Sequence, residues 1–182
     1  MKKVITVKNF LPRSLHNLLK SKVYSNSFPW FYAEDITGQS SDNTNGGFSH
    51  TLFDGENLTA SEFYKEFIPI YACMHDISGI NPKDLLRMRI GFLTPREVLK
   101  CNNPHVDYNK NHFTALYYFD NSDGDTYIFN ERCTEQQTKQ PTIFETVRPE
   151  ENKLVIFDGT RFHSSSNPNK FSRRTVLTIN FE

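Results

Sequence analysis

From about Leu85 onwards, the chain is a succession of short apolar segments separated by turn residues. Turns are indicated at Asn121–Gly124, Pro149, Asp158–Gly159 and Asn167–Asn169, where Asn, Asp, Gly and Pro cluster. Many short strands with frequent turns are typical of an antiparallel sandwich or barrel. We therefore predict a mainly β jelly roll or barrel with helices packed on one sheet. The predicted strands are LLRMRIGFL, HFTALYYF, TYIFN, TIFETV, NKLVIFD and RTVLTINFE.

The N-terminal part of the chain carries helical patterns instead. The segment RSLHNLLKSKV has apolar residues at helical spacing and predicts a helix. A second helix is predicted in TASEFYKEFIPIYACMHDI, where Thr59 and Ser61 with Glu62 indicate an N-terminus and Pro69 a kink. The segment KVITVKNFLP predicts a short strand, and FPWFYAEDI predicts an extended stretch.

The length of 182 residues fits one domain with a sizeable core. We predict that residues 1–84 provide helical and strand support and that residues 85–182 form the β core. The formal net charge of zero gives no general electrostatic attraction to nucleic acid or to an anionic membrane. No apolar run approaches the ~20 residues that a transmembrane helix needs. The sequence leaves the oligomeric state open.

Three widely spaced cysteines, Cys73, Cys101 and Cys133, form no C-x-x-C pair and no even set. This pattern suits a reducing compartment and predicts that no disulfide forms. The opening MKKVITVKNFLP is too short and too polar for the apolar part of a secretory signal. We therefore expect a cytoplasmic protein.

The segment PHVDYNKNHFTALYYFD places His105 and Asp107 two residues apart, directly before an alternating apolar run. In an extended segment these two side chains point to the same side, so one strand end can present a nitrogen and an oxygen ligand. Two imidazoles and one carboxylate, with open positions opposite, are the usual ligands of an oxygen-activating Fe(II) site. An isolated H-x-D is common by chance, so this interpretation requires a third ligand from a distant strand.

His163 is the candidate for that third ligand. It follows the apolar strand Leu154–Phe157 and the turn Asp158–Gly159, and a folded-back sheet brings such strand ends together. The other histidines fit less well because they lack a carboxylate at suitable spacing; in His75–Asp76, neighbouring side chains on a helix diverge. The remaining histidines are His16, His50 and His112.

Two adjacent arginines, Arg173 and Arg174, open the last apolar segment about ten residues after His163. Either guanidinium is suited to hold a carboxylate bidentately at the floor of a pocket. Because side chains alternate along a strand, the two arginines lie on opposite faces. The Arg173 face is largely apolar and suits packing against the N-terminal helices, whereas the Arg174 face suits a polar pocket. The first face carries Thr175, Leu177, Ile179 and Phe181, and the second carries Val176, Thr178 and Asn180.

The ordered set His105-x-Asp107 … His163 … Arg174 resembles the Fe(II)- and 2-oxoglutarate-dependent dioxygenases, particularly their prolyl 4-hydroxylase-like branch. The likeness spans roughly residues 87–181. HFTALYYFD resembles the branch's strand after H-x-D, GDTYIF its next strand, and RPEENKLVIFDGTRFHSSSNP the run that leads to its second histidine. The opening NFLP … FPWFY resembles small stand-alone oxygenases of marine bacteriophages, which implies a location in the host cytoplasm.

This resemblance implies a double-stranded β-helix core, of the jelly-roll and cupin type, and Fe(II) held by the His–Asp–His set. It implies 2-oxoglutarate as cosubstrate, with its far carboxylate at Arg174 and at the hydroxyl of Tyr118. Thr178, four residues after the arginine, matches a further cosubstrate position. Molecular oxygen is the oxidant, ascorbate is a further candidate cofactor, and the reaction is hydroxylation of a C–H bond.

The chain also departs from the family pattern. The family often has a tyrosine or asparagine on the strand before H-x-D, where RMRIGFL offers Phe92 and no such group, so the cosubstrate contacts on that wall stay open. The carboxylate of Asp107 disfavours a halogenase, which replaces that ligand with a small residue.

The substrate is not specified by these motifs. The resemblance favours a prolyl residue in a peptide or protein, with nucleic-acid demethylation and a small metabolite as alternatives. The loops Thr37–Gly47 and Glu131–Pro141 are candidate lids. A non-catalytic cupin-like binding or structural module is an alternative of another class; the complete ligand set with Arg174 argues against it.

Overall fold

A computed structural model of the chain describes residues 3–36, 46–77, 80–97, 101–133 and 141–182. Most of the described segments are extended. The strands are β1 (Ile5–Lys8), β2 (Phe31–Ala33), β3 (Gly47–Asp54), β4 (Thr59–Ala60), β5 (Leu85–Leu93), β6 (Phe113–Tyr118), β7 (Thr126–Arg132), β8 (Ile143–Val147), β9 (Lys153–Asp158), β10 (Arg161–Ser165) and β11 (Arg174–Phe181). The helices are α1 (Arg13–Val23) and α2 (Tyr64–Cys73), and the 3-10 turn Met74–Asp76 follows α2.

The strands form two antiparallel sheets. Within the described residues, the larger sheet has the order β1-β9-β6-β11-β5-β3-β2, with β4 paired to β3, and the smaller sheet has the order β10-β7-β8. The prediction of a mainly β fold with flanking helices is confirmed, and each of the six strands predicted after Leu85 is present.

The larger sheet is covered on both faces, as the alternation of side chains along β6 illustrates. Ala115 and Tyr117 belong to a core shared with the helices, whereas Leu116 and Tyr118 belong to a core shared with the smaller sheet. Burial on both faces explains why the central strands are nearly continuous apolar runs. The first core includes Leu19, Val23, Phe67, Ile70, Leu177 and Ile179, and the second includes Ile128, Val147, Val155, Phe157 and Val176.

The first predicted helix coincides with α1, but the second begins later than predicted. Thr59 and Ala60 form β4, and α2 starts only at Tyr64. The hydroxyl of Ser61 is hydrogen-bonded to Nε2 of His50 at 2.7 Å and accepts from the amide of Phe63 at 3.2 Å. This serine therefore closes a turn that ties β3 to the helix, and no side chain caps the helix. No helix in the described ranges is long and apolar enough to cross a membrane.

Strand β3 was missed in the sequence, although it lies inside the larger sheet between β5 and β2. Its segment, GFSHTLFD, mixes polar and apolar residues, and His50 is one of its buried side chains. The N-terminal part therefore adds strands as well as helices to the fold. The division between residues 84 and 85 stays a prediction.

We expect the native protein to contain no disulfide. All three cysteines are free in the structure, and burial raises the pKa of the Cys73 and Cys101 thiols, which lowers their thiolate fraction. Alkylation under denaturing conditions without reductant, followed by mass spectrometry, should label three thiols. A mass two hydrogens short, with one unlabelled pair, would contradict this expectation.

Candidate metal centre

The structure brings His105, Asp107 and His163 together. Their ligand atoms all lie within 4.8 Å of one another, so the cluster could hold a metal ion. His105 precedes β6 and His163 lies in β10, and the two form an isolated antiparallel bridge. The amide of His105 donates to the carbonyl of His163 at 2.9 Å, and the reverse bond measures 2.8 Å. The main chain itself therefore fixes the spacing of the two imidazoles.

Backbone carbonyls also set the orientation of the two rings. Nδ1 of His105 lies 3.2 Å from the carbonyl oxygen of Asn103, and Nδ1 of His163 lies 3.3 Å from that of Arg161. Because a carbonyl oxygen only accepts, each Nδ1 carries the proton in these contacts. Each Nε2 is then the nitrogen with a free lone pair, and that of His163 lies 3.6 Å from Oδ2 of Asp107.

The protonation states of the cluster suit a divalent cation. Burial lowers the pKa of His105, and burial together with the charge of His105 lowers the pKa of His163 to about 4. Burial acts to raise the pKa of Asp107, but the charges of His163 and Arg87 outweigh it and hold that pKa below its ordinary value. At neutral pH the cluster therefore presents two neutral nitrogens and one carboxylate, the donor set of non-haem Fe(II) sites.

Asp107 is held from behind by Arg87, which the sequence did not point to, and by Asn180, which the sequence placed only on the polar face of the last strand. Nη2 of Arg87 donates to Oδ1 at 2.5 Å, and Nδ2 of Asn180 donates to Oδ2 at 2.8 Å. Arg87 and Asn180 are register partners on β5 and β11, and Nε of Arg87 donates to Oδ1 of Asn180 at 3.2 Å. One carboxylate oxygen is thus fixed by each support, as is usual behind metal ligands.

The wall formed by RMRIGFL, on which the sequence left the cosubstrate contacts open, presents arginines to the cavity side. Phe92 points away from the centre and packs against Trp30 and Phe48. Arg87 and Arg89 occupy the opposite face, and Arg89 lines the cavity above the metal cluster. The alternation R-x-R-x-G in this strand does indicate that the two arginines share one face. Which face turns towards the cavity depends on the register of β5 on β11, which the sequence does not show.

The cluster opens into a cavity of about 640 Å³, including its mouth, between the two sheets. Arg174 is 5% exposed and lines this cavity together with Thr178 and Thr126. Nε of Arg174 donates to the carbonyl of Gly124 at 2.9 Å, and Nη2 donates to Oγ1 of Thr126 at 2.7 Å. The guanidinium is therefore held firmly and retains further N–H groups for a ligand.

The other two residues considered for this end do not line the cavity, although the guanidinium of Arg174 lies over the ring of Tyr118, 5.9 Å from its centroid. Arg173 points to the opposite face, where Nε contacts Asp120 at 3.0 Å and the guanidinium lies over the ring of Tyr24. The hydroxyl of Tyr118 is 2.9 Å from Oγ1 of Thr126, and this tyrosine is absent from the described residues that line the cavity. Tyr118 therefore lies behind Thr126 as seen from the cavity. The sequence did not single out Thr126 as a residue of this site.

Of the comparisons with known proteins, the one with solved structures found similar proteins. No family model matches the chain, and no curated protein matches it by sequence. A 2OG-Fe(II) oxygenase family oxidoreductase from Burkholderia pseudomallei superposes with a TM-score of 0.66 at 12% identity, covering 98% of this chain and 85% of that one. The chain has the fold of the 2OG-Fe(II) oxygenases. The predicted jelly-roll core is thereby confirmed.

Two prolyl hydroxylases share this oxygenase fold with the chain. One, from Trichoplax adhaerens in complex with a hypoxia inducible factor peptide fragment, gives a TM-score of 0.65 at 12% identity, covering 100% of this chain and 84% of that one. A prolyl-4-hydroxylase from Pseudomonas putida gives 0.63 at 14% identity, covering 98% and 92%. At such identities the likeness establishes the fold.

The candidate lids of this oxygenase fold fall mainly outside the described residues. Residues 37–45 of the loop Thr37–Gly47 and residues 134–140 of the loop Glu131–Pro141 are not among them. The role of these loops as lids stays a prediction.

Replacing Arg87 with glutamine is expected to weaken metal binding by about 10- to 100-fold, because Asp107 loses the group that orients and ionises it. Competition of Mn(II) with a chelating dye measures this affinity directly. Arg13→Gln is the matched control, since its guanidinium is 68% exposed and pairs with Glu151 on the surface. An Arg87→Gln protein that binds Mn(II) as tightly as the Arg13→Gln protein would contradict the supporting role.

Proposed function

We propose that this protein is an Fe(II)- and 2-oxoglutarate-dependent oxygenase that hydroxylates a C–H bond. The observation that carries the proposal is the His105–Asp107–His163 cluster at one end of a cavity whose other end holds the buried Arg174. The oxygenase fold supports this proposal. Two ligands of the cluster lie in the H-x-D segment and the third lies on a distant strand, which is the arrangement that the family resemblance implies.

The residues present fit the metal and the cosubstrate. Two neutral imidazoles and one carboxylate suit Fe(II), and the bound metal with 2-oxoglutarate and oxygen supplies the oxidising chemistry. Arg174 receives the far carboxylate of 2-oxoglutarate through the N–H groups that Gly124 and Thr126 leave free. Thr178 adds a hydroxyl to the same wall. Tyr118 acts through Thr126, whose side chain it fixes.

The protein walls hold the reacting groups in fixed positions. Leu116 and Val176 contribute apolar surface to the cavity, and Arg87 and Asn180 keep the carboxylate of Asp107 in place. Such a fixed surrounding orients the substrate carbon relative to the metal cluster. Hydroxylation is therefore directed to the carbon that the substrate presents beside the metal cluster.

A prolyl residue in a peptide or protein is the substrate that the similar structures favour, since two of them are prolyl hydroxylases. Incubation with proline-containing peptides should give a mass gain of one oxygen on proline, dependent on 2-oxoglutarate. If the protein instead turns over methylated nucleic acid or a small metabolite, the prolyl substrate is wrong and the oxygenase assignment still holds.

Anaerobic titration with Fe(II) and 2-oxoglutarate tests the proposal itself. A weak visible charge-transfer band is expected as the ternary complex forms, and the Asp107→Ala variant should lack it. Admission of oxygen should then yield succinate. A wild-type protein that shows neither band nor succinate would instead be a non-catalytic cupin-like module.

A further inference from the structure

Arg89 occupies a central place in the cavity that the proposed reaction does not use. Its register partners are Thr178 on β11 and Thr51 on β3, so it stands in the middle of the larger sheet. It lies two residues beyond Arg87, which supports Asp107, and its side chain shares the cavity wall with the metal cluster. A cationic group therefore faces the space beside the metal centre.

The guanidinium of Arg89 lacks a counter-charge in contact with it. Across the described ranges it makes no hydrogen bond and no ion pair, whereas Arg87, Arg173 and Arg174 all have partners. Burial, followed by the charge of Arg87, lowers the pKa of Arg89. An arginine stays protonated in spite of such a shift, and the carboxylates of Asp107 and Asp35 favour its charge from a distance without forming an ion pair with it. Arg89 is half-buried and lines the cavity, so its charged group is available to a ligand that enters there.

The sheet leaves room for that ligand next to the arginine. Gly91, two residues along β5, also lines the cavity, and a Cβ built on it would meet no atom within 4 Å. A glycine inside a central strand leaves space in which a ligand can come close to the backbone. Ser49, the register partner of Gly91 on β3, adds a hydroxyl to the same wall. Together these residues form a small cationic subsite.

The far carboxylate of 2-oxoglutarate does not need this subsite. Arg174 and Leu93 are register partners, and Arg89 lies four residues further along β5, about 13 Å at the usual rise of a strand. Arg89 is therefore separate from the guanidinium that would hold that carboxylate, and its charge is available to another carboxylate beside the metal cluster. We propose that the substrate carries a carboxylate and that Arg89 binds it beside the metal centre. This inference rests on the proposed function and narrows its substrate class.

A carboxylate of this kind belongs either to a small organic or amino acid or to an acidic side chain in a peptide. Binding to the protein loaded with Mn(II) and N-oxalylglycine, which does not turn over, separates the two sources. The probes are a library of small carboxylic acids with their primary amides, and acetyl-Glu-Pro-Gly-amide with its Gln counterpart. In one of the two sets, we expect the acid to bind at least about tenfold more tightly than its amide counterpart.

The Arg89→Gln variant should lose this preference, Arg89→Lys should retain part of it, and the surface variant Arg13→Gln should retain all of it. Gly91→Leu fills the subsite without touching any charge and should weaken acid binding at least tenfold. It keeps the inference testable if Arg89→Gln does not fold.

Equal binding of acids and amides to the wild-type protein would overturn the inference. So would a preference that survives in Arg89→Gln, or an Arg89→Gln protein that loses 2-oxoglutarate more than it loses the acid probes. The ternary charge-transfer band keeps the two proposals apart. A wild-type protein that forms the band but ignores the acids refutes only the carboxylate subsite, whereas a missing band refutes the oxygenase assignment.

Discussion

Alanine at His105, Asp107 or His163 is expected to reduce iron-dependent succinate formation to below about 1% of the wild-type rate. Removing a supporting residue behind a metal ligand already costs 10- to 100-fold, so removing the ligand itself costs more. The fold of the two histidine variants should survive, because the bridge between His105 and His163 consists of main-chain hydrogen bonds that need neither imidazole. Asp107→Ala, by contrast, also leaves Arg87 without its ion-pair partner. The loss in the histidine variants therefore reports on the metal centre and not on folding.

Succinate assays, with thermal melts in the presence and absence of Mn(II), check this expectation. Wild-type protein should be stabilised by the metal, because it binds the folded state, and each of the three variants should lose that shift. His75→Ala is the control, since His75 is exposed and lies away from the cluster. His112, the histidine nearest to the H-x-D motif, is unsuitable as a control, because its ring is buried and packs against Gly159, so its alanine variant would also lose stability. Wild-type activity in purified His163→Ala would refute the ligand set.

Arg174→Ala is expected to raise the KM for 2-oxoglutarate by at least tenfold. A bidentate contact between charged groups out of water is worth on the order of 2–4 kcal/mol, which corresponds to roughly 30- to 1,000-fold in affinity. Arg174 is buried at the end of the cavity opposite the metal cluster, and it is positioned by Gly124 and Thr126. Its removal also takes away one of the two partners of Oγ1 of Thr126 and leaves the Tyr118 hydroxyl as the other, so part of the loss comes from a less firmly held threonine.

The neighbouring Arg173 supplies a matched control for that experiment. Its guanidinium lies on the other face of β11, against Asp120 and Tyr24, so Arg173→Ala should change the KM by less than about threefold. Steady-state succinate formation at varied 2-oxoglutarate concentration measures both variants. A larger effect of Arg173→Ala than of Arg174→Ala would mean that Arg173 faces the cavity and that Arg174 is the surface residue.

The sequence predicted the parts of this fold that depend on local periodicity. Alternation along β11 separated the face of Arg174 from that of Arg173, and the structure places one in the cavity and the other against Asp120. The extended geometry of H-x-D likewise placed His105 and Asp107 on one side of the chain. These inferences hold because the side-chain period of a strand is fixed by the backbone alone.

The parts that the sequence did not predict depend on how distant strands pair. Arg87 supports Asp107 only because β5 pairs with β11 in a register that sets Arg87 opposite Asn180. A shift of one residue would turn Arg87 and Arg89 away from the cavity. The mixed pattern of β3 and the turn made by Ser61 were missed for a related reason, since His50 joins them through a tertiary contact.

The position of β11 has a consequence for the synthesis of the protein. This strand follows β5 and β6 in the chain, yet it lies between them in the larger sheet and pairs with both. While the ribosome has not yet released β11, the nascent chain carries two apolar strands with open edges, which are templates for intermolecular pairing. A product terminated before Arg174 lacks the central strand of its sheet. The open edges of β5 and β6 are therefore closed only after β11 has emerged.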